Sequence, residues 1–302
     1  MFRKLSLPAI VLVICSSIVQ AQTSLEFKYP EGKKSTSQKE VRTTQTLTLA
    51  GMNIDTKSST FVVGTSVIGT RAADGALKIE EKADSMQSEI SFPGGSVQFD
   101  SANPDKKSDN PALEPILEIF RAAFRLPVTV ELNAKNKITA VKLPDGEFEK
   151  LPEAAKDRFS PEALKKAIEQ LHDFCPDGPV KKGDTWERAS ETNLGAGQIM
   201  SFRTKYEYEG TVDKDGVTLD KISGKAFDVS FAINGNPMIQ LTSSDLKIIE
   251  SKSTHLFDRE RGSVISHTAK TQVAGPLTLV INGAELAGKV DLTVEENFSA
   301  QK

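Results

Sequence analysis

Along most of this chain apolar and polar residues change places at every step. Between residues 200 and 209, Met200, Phe202, Thr204, Tyr206 and Tyr208 fall on one side, with Ser201, Arg203, Lys205, Glu207 and Glu209 on the other. Successive side chains of a strand point to opposite faces, so this period of two predicts a strand with one buried and one wet face. Val217, Leu219, Phe227, Val229 and Phe231 share a phase in the next run. Ile265, His267, Ala269, Thr271 and Val273 share another, and Leu286, Val290, Leu292 and Val294 form the last. In the first half Val41, Thr43, Gln45, Leu47 and Leu49 alternate, as do Phe61 with Val63 and Leu77 with Ile79. Asp74-Gly75, Asp215-Gly216, Asn234-Gly235-Asn236-Pro237 and Asn282-Gly283 separate these runs. Such residues tolerate the positive φ that tight hairpins demand.

The middle of the chain follows a different period. Leu113, Ile116, Leu117, Phe120 and Phe124 recur at threes and fours, the stripe of a helix that starts near Asn110-Pro111 and ends at Pro127. Val128, Val130 and Leu132 then alternate, and a turn at residues 134–136 leads to Ile138, Ala140 and Lys142, a hairpin. A second helix is capped by Ser160, with Pro161 in its first position and Leu164, Ile168, Leu171 and Phe174 as its buried stripe. A shorter helical stretch covers residues 147–156, around Pro152. Strands, helix, hairpin, helix, strands is an α+β order, which favours antiparallel pairing. The expected fold is a large, strongly curved antiparallel sheet, either a half-barrel or two related halves, with two or three helices packed on it. The helical insertion lies at about residues 111–175 of a β-rich body spanning 22–302.

The N-terminus changes the compartment. Arg3 and Lys4 precede an apolar run too short to span a membrane, and Val19-Gln20-Ala21 presents small residues at the two positions a signal peptidase reads. Residues 1–21 are expected to be a signal peptide cleaved after Ala21, leaving a periplasmic or extracellular protein without a transmembrane segment. The formal net charge is −3, and losing Arg3 and Lys4 makes the chain more acidic still. That argues against nucleic acid or an anionic membrane as partner. Cys15 lies within the apolar leader, so Cys175 is the only cysteine left after cleavage and no internal disulfide can form. Cys175, between Phe174 and Pro176, reads as a buried, inert thiol.

Candidate chemistry is sparse. His255 and His267 lie on consecutive strands and could meet across a hairpin, but no third ligand is indicated for a metal. Asp213, Asp215 and Gly216 lack the alternating ligands of a calcium loop, and Glu80-Glu81 and Glu295-Glu296 point to opposite strand faces. No catalytic residues, metal ligands or cofactor-binding residues are assigned, and no cofactor is expected. The most distinctive segment is Pro179-Val180-Lys181-Lys182-Gly183-Asp184-Thr185-Trp186, read as an entry turn anchored by the single tryptophan.

That segment resembles the Pro-Val-x-x-Gly-Asp-x-Trp stretch of an exported, planctomycete-type bacterial family of unknown function. Phe99-Asp100-Ser101, the hairpin at 128–141 and Phe257-Asp258 with Gly262-Ser263-Val264 are similar to further motifs of that family. Asn136 stands where the family's hairpin has glycine, and asparagine also adopts the left-handed conformation. The resemblance implies an exported, β-rich fold and no catalytic residues. Three functions follow in order: a non-enzymatic binding or cell-envelope protein using strand edges or loops; a periplasmic carrier of a lipid or other apolar ligand; and a hydrolase with an unrecognised site. The carrier reading nominates Phe202, Phe227, Phe231 and Leu279 as ligand-lining residues.

Overall fold

The computed structural model describes residues 22–195, 197–234 and 239–301. Residues 1–21, where a leader is expected, therefore lie outside the described residues, as do residues 235–237 of the expected turn after Asn234. The strands are β1 Lys34–Leu49, β2 Met52–Ile68, β3 Leu77–Phe92, β4 Gly95–Asp100, β5 Val128–Leu132, β6 Ile138–Lys142, β7 Thr185–Gly195 and β8 Gln198–Lys214. β9 Val217–Ile233, β10 Ile239–Ser244, β11 Lys247–Asp258, β12 Ser263–Ile281 and β13 Ala284–Ala300 follow. The helices are α1 Glu114–Arg125, α2 Glu153–Phe159 and α3 Pro161–His172. One sheet runs β6-β5-β3-β2-β1-β13-β12-β11-β9-β8-β7, with β4 beside β3 and β10 beside β12. Its pairs are antiparallel, as the element order implied.

The sheet ends on β6 at one side and β7 at the other, and α3 stands between them. Leu164 and Ile168 of α3 pack with Val130 and Val141 on the β5–β6 side. Lys166 of the same helix pairs with Glu191 of β7, whose backbone N–H donates to Gln170 Oε1 at 3.1 Å. One helix can touch both terminal strands only if the sheet bends round towards itself. Ser160 caps α3 as expected, its Oγ accepting the Ala163 N–H. The insertion supplies this helix and also the hairpin β5–β6, which joins the sheet beside β3.

α1 lays the predicted stripe, centred on buried Leu117, against Met86, Val97 and Phe99 of β3 and β4. Its Arg121 is buried and holds the polar loop before the helix. Nε donates to the Pro104 carbonyl (2.7 Å), and the terminal nitrogens reach the Lys106 carbonyl, Glu114 and Glu118. Arg121→Ala should cost about 2–3 kcal/mol, the value of hydrogen bonds to a charged group. Limited proteolysis should then cut first within residues 101–110; unchanged cleavage would remove this role.

Local expectations fail where the period slips. Leu171 is 60% exposed, because the N-terminal segment approaches α3 on the side of His172 and packs Phe27 and Tyr29 there. The short helix begins after Pro152, its N-cap, so residues 147–151 form turns. On β6, Thr139 is an unopposed extra residue, and Val141 rather than Lys142 points inward. Ile265 is likewise unopposed on β12, which takes it out of phase with His267.

Residues 22–33 run across one end of the sheet, the end where β1 begins and β13 finishes. Thr23 pairs with Val180, the Lys28 N–H donates to the Gly262 carbonyl, and the Gly32 N–H donates to the Ile68 carbonyl. Gly262 has φ +64, and a Cβ there would lie 2.4 Å from Lys28, so only glycine admits this crossing. Most of the segments that carried the family resemblance meet this strap. Val180 pairs with it, Asn136 (φ 60) donates to the Phe27 carbonyl, and Gly262 receives Lys28.

Candidate functional site

The hydrogen-bonded sheet splits between β9 and β11. These strands pair only from Asp220↔Phe257 to Gly224↔Ser253. Beyond that point residues 225–233 continue with β8 alone, and residues 247–252 with β12 alone. The last tie at the fork is a side chain: the Ala226 N–H donates to Ser251 Oγ at 3.0 Å. Gly224 is required there, since a Cβ would sit 2.8 Å from the Tyr206 ring and 2.4 Å from Ser253 Oγ. On the far side, the bend at Asp245-Leu246 crosses Gly275 of β12 so closely that a Cβ would lie 2.1 Å from the Asp245 carbonyl. Here β12 exchanges neighbours, from β11 up to Ala274 to β10 from Leu277.

The resulting cleft has a volume of about 560 Å³ and is lined by residues 225–229 and 246–251. Each bank carries a β-bulge. On β9, Arg203 opposes Asp228 and Thr204 opposes Ala226, leaving Phe227 unopposed. On β11, Val273 faces Ile248 and Gln272 faces Glu250, leaving Ile249 unopposed. A bulge re-aims the extra side chain and bends its strand, and bulges are enriched beside binding sites. Phe227 and Ile249 are accordingly 47% and 60% exposed at the cleft. The Arg203 guanidinium lies 5.0 Å from the Phe227 ring centre, a cation–π contact that fixes the ring. Val229, Leu246 and Ile248 line the cleft and also belong to the interior apolar cluster.

Of the four residues nominated from the sequence, Phe202, Phe231 and Leu279 come together in that interior cluster with Met200, Leu277 and Leu292. Phe227 does not join them. The bulge breaks its phase with Val229 and Phe231 and places it on the cleft. The facing bulges and Ile249 were not foreseen from the alternation.

A second group of residues occupies the strapped end. His255 and His267 are register partners with ring centres 4.2 Å apart. Phe174 stacks on His255 at 4.1 Å, and Phe27 links Phe174 to His172. All three histidines of the chain thus lie along one aromatic column. Burial pushes His172 down to about 4 and His255 to about 2, and it lowers His267 against the pull of Glu296. Burial also pushes the Cys175 thiol up to about 12, which keeps it protonated and unreactive. Trp186 belongs to this cluster, its Nε1–H donating to the Phe174 carbonyl at 2.9 Å. Asp220, 2% exposed, accepts the Tyr208 hydroxyl (2.6 Å) and pairs with Arg259. Among the described residues no three His, Cys, Asp or Glu side chains gather as metal ligands, and no helix is long and apolar enough to cross a membrane.

Fold and site together define an open antiparallel β-sheet protein with a lateral rift between two neighbouring strands. The chain belongs to the Family of unknown function (DUF6263), whose family model matches residues 74–244. That span includes the β9 bank of the rift and stops before the β11 bank. No curated protein matches the chain. Among solved structures, lipovitellin, studied for its lipid–protein interactions, aligns at 10% identity and a TM-score of 0.46 over 91% of this chain and 26% of its own. The chain thus spans about a quarter of that protein's length. An outer membrane channel from Pseudomonas putida F1 aligns at 9% identity and a TM-score of 0.26 over 92% of this chain and 98% of its own. OccK5 (OpdH) from Pseudomonas aeruginosa aligns at 6% and 0.28, over 90% and 99%.

Proposed function

We propose that this is an exported, non-catalytic binding protein whose binding seat is the rift between β9 and β11. One observation carries the reading: bulges on both banks present Phe227 and Ile249 at the mouth of a cleft of about 560 Å³. A side chain exposed singly needs no explanation, whereas two apolar residues turned out by matched backbone irregularities form a surface suited to a partner. Export rests on the Arg3-Lys4 leader and Ala21, and on the resemblance to an exported planctomycete-type family through Pro179 to Trp186. A second reading, carriage of a lipid or other apolar ligand, draws on one feature. Val229, Leu246 and Ile248 line the cleft and the interior cluster that holds Phe202, Phe231 and Leu279.

The test is photocrosslinking in the organism that makes the protein. A photoreactive phenylalanine analogue at position 227 should give a discrete adduct, and the same probe at exposed Leu171 should not. Equal labelling at both positions, or none at 227, would dismiss the rift as the seat.

A further inference from the structure

We infer that the far halves of β7, β8 and β9 form a hinged flap that lifts off the apolar interior to admit an acyl chain. The inference rests on the carriage reading for its cargo and adds the way in. Residues 190–195, 198–202 and 228–233 pair with one another in the order β7-β8-β9. At their tip the Asn234 N–H donates to the Gly197 carbonyl at 2.8 Å, which ties the end of β9 to the turn between β7 and β8. On the β9 side, main-chain pairing with β11 ends at Gly224, and the Ala226 N–H on Ser251 Oγ is the last tie. Beyond it β9 and β11 lie side by side without a ladder. On the β7 side the sheet ends and the neighbour is α3. The Lys166–Glu191 pair and the bond from the Glu191 N–H to Gln170 Oε1 cross that seam. Both charged partners are about half exposed, and such pairs shift an equilibrium by at most about fivefold. The apolar contacts of α3 are on the opposite bank, through Leu164 and Ile168, so the helix stays with β5 and β6 when β7 leaves.

The base of the flap is where the sheet bends. The β9 bulge at Phe227 breaks the register between Arg203 and Thr204, level with the end of the β9–β11 pairing. A bulge bends and twists its strand, and a few such positions at the end of an element suffice for a hinge. What holds the flap shut is its inner face. Met200, Phe202, Val229, Phe231 and Ile233 pack into the interior cluster that holds Leu279 and Leu292. Lifting uncovers this surface, which is unfavourable unless another apolar body takes its place. A ligand shifts such an equilibrium only by its preference for the open form. A polar guest has no such preference here, whereas an acyl chain replaces the lost contacts with its own methylenes.

The test measures spin-label distances in the full mature protein carrying Cys175→Ser. Ser230→Cys with Lys289→Cys spans flap and body, and Lys252→Cys with Lys289→Cys lies within the body; all three positions are exposed. The first pair should show a second, longer distance whose population grows at least about tenfold in Lys166→Ala/Ser251→Ala, which removes a tie on each side. It should grow again with dansyl-undecanoate, the acyl probe, while the second pair keeps one distance throughout. A single distance for the first pair under all three conditions would overturn the flap, as would equal broadening of both pairs. Separately, Lys166→Cys/Glu191→Cys bridged by a short bis-maleimide should take up the probe at least about tenfold more slowly than the unbridged variant. Uptake at an equal rate would overturn the flap as the entrance. A moving flap with no probe binding would remove the carriage reading and its cargo while leaving the hinge.

Discussion

Arg259→Met is expected to cost about 3 kcal/mol of folding stability at neutral pH, although the residue lies on a turn. The cost arises at Asp220, which is 2% exposed and would be left as a buried carboxylate without its counter-charge. Breaking a buried pair from one side costs about 3–5 kcal/mol. The Arg259 side chain is 46% exposed, so solvent already screens part of the attraction and the lower end applies. The Tyr208 hydroxyl stays on Asp220 at 2.6 Å and is too weak a donor to replace a guanidinium. Asp220→Asn in the Arg259→Met background should recover most of the loss, because a neutral amide oxygen still accepts from Tyr208. Urea unfolding of the four proteins of this cycle reads the coupling directly. A single variant losing under about 1 kcal/mol, or strictly additive losses, would show that this cluster does not hold β8, β9 and the β11–β12 turn together.

The alternation that revealed the strands could not reveal the site, for one reason. A period of two identifies a strand only while each residue faces one partner. A bulge adds a residue to one strand alone and reverses the phase beyond it. Phe227 therefore read as in phase with Phe231, and Ile249 sat unremarked in the run Lys247-Ile248-Ile249-Glu250, because nothing in either run marks which residue will be unopposed. Turns were legible because their chemistry is local: Asp215, Asn282 and Asn136 all adopt positive φ where hairpins were expected. The rift was not legible, since it depends on which strands pair and how far. β9 and β11 are separated by β10, which pairs with β12. Leu171 shows the same limit on a helix, where a distant segment carrying Phe27 chose which of two adjacent positions would be covered.

The gathering of the histidines leads to the second large effect. Acidification from pH 7.5 to pH 5 should remove about 4–6 kcal/mol of stability, well before the carboxylates with lowered values begin to protonate. In the folded state His172 and His255 stay neutral, at about 4 and about 2, and His267 is lowered as well. Unfolded, each returns to the ordinary value near 6.5 and takes a proton below it. The unfolded chain therefore binds more protons across this window, so stability is full above about pH 6.5 and falls as the pH drops. Each imidazole that stays neutral contributes about 2 kcal/mol by pH 5. His267 contributes less because Glu296 favours its charged form, although Lys39 opposes it. Buried Glu81, whose value burial raises, works in the other direction as the pH nears the carboxylate range. His255→Phe separates this cause from general acid sensitivity. It keeps a flat ring against Phe174, with which His255 stacks at an 8° angle, and removes one titrating group. Urea unfolding at several pH values should give a slope about one proton shallower for that variant. An unchanged slope would mean that acid acts elsewhere in the molecule, and that the column of rings is indifferent to the charge of its imidazoles.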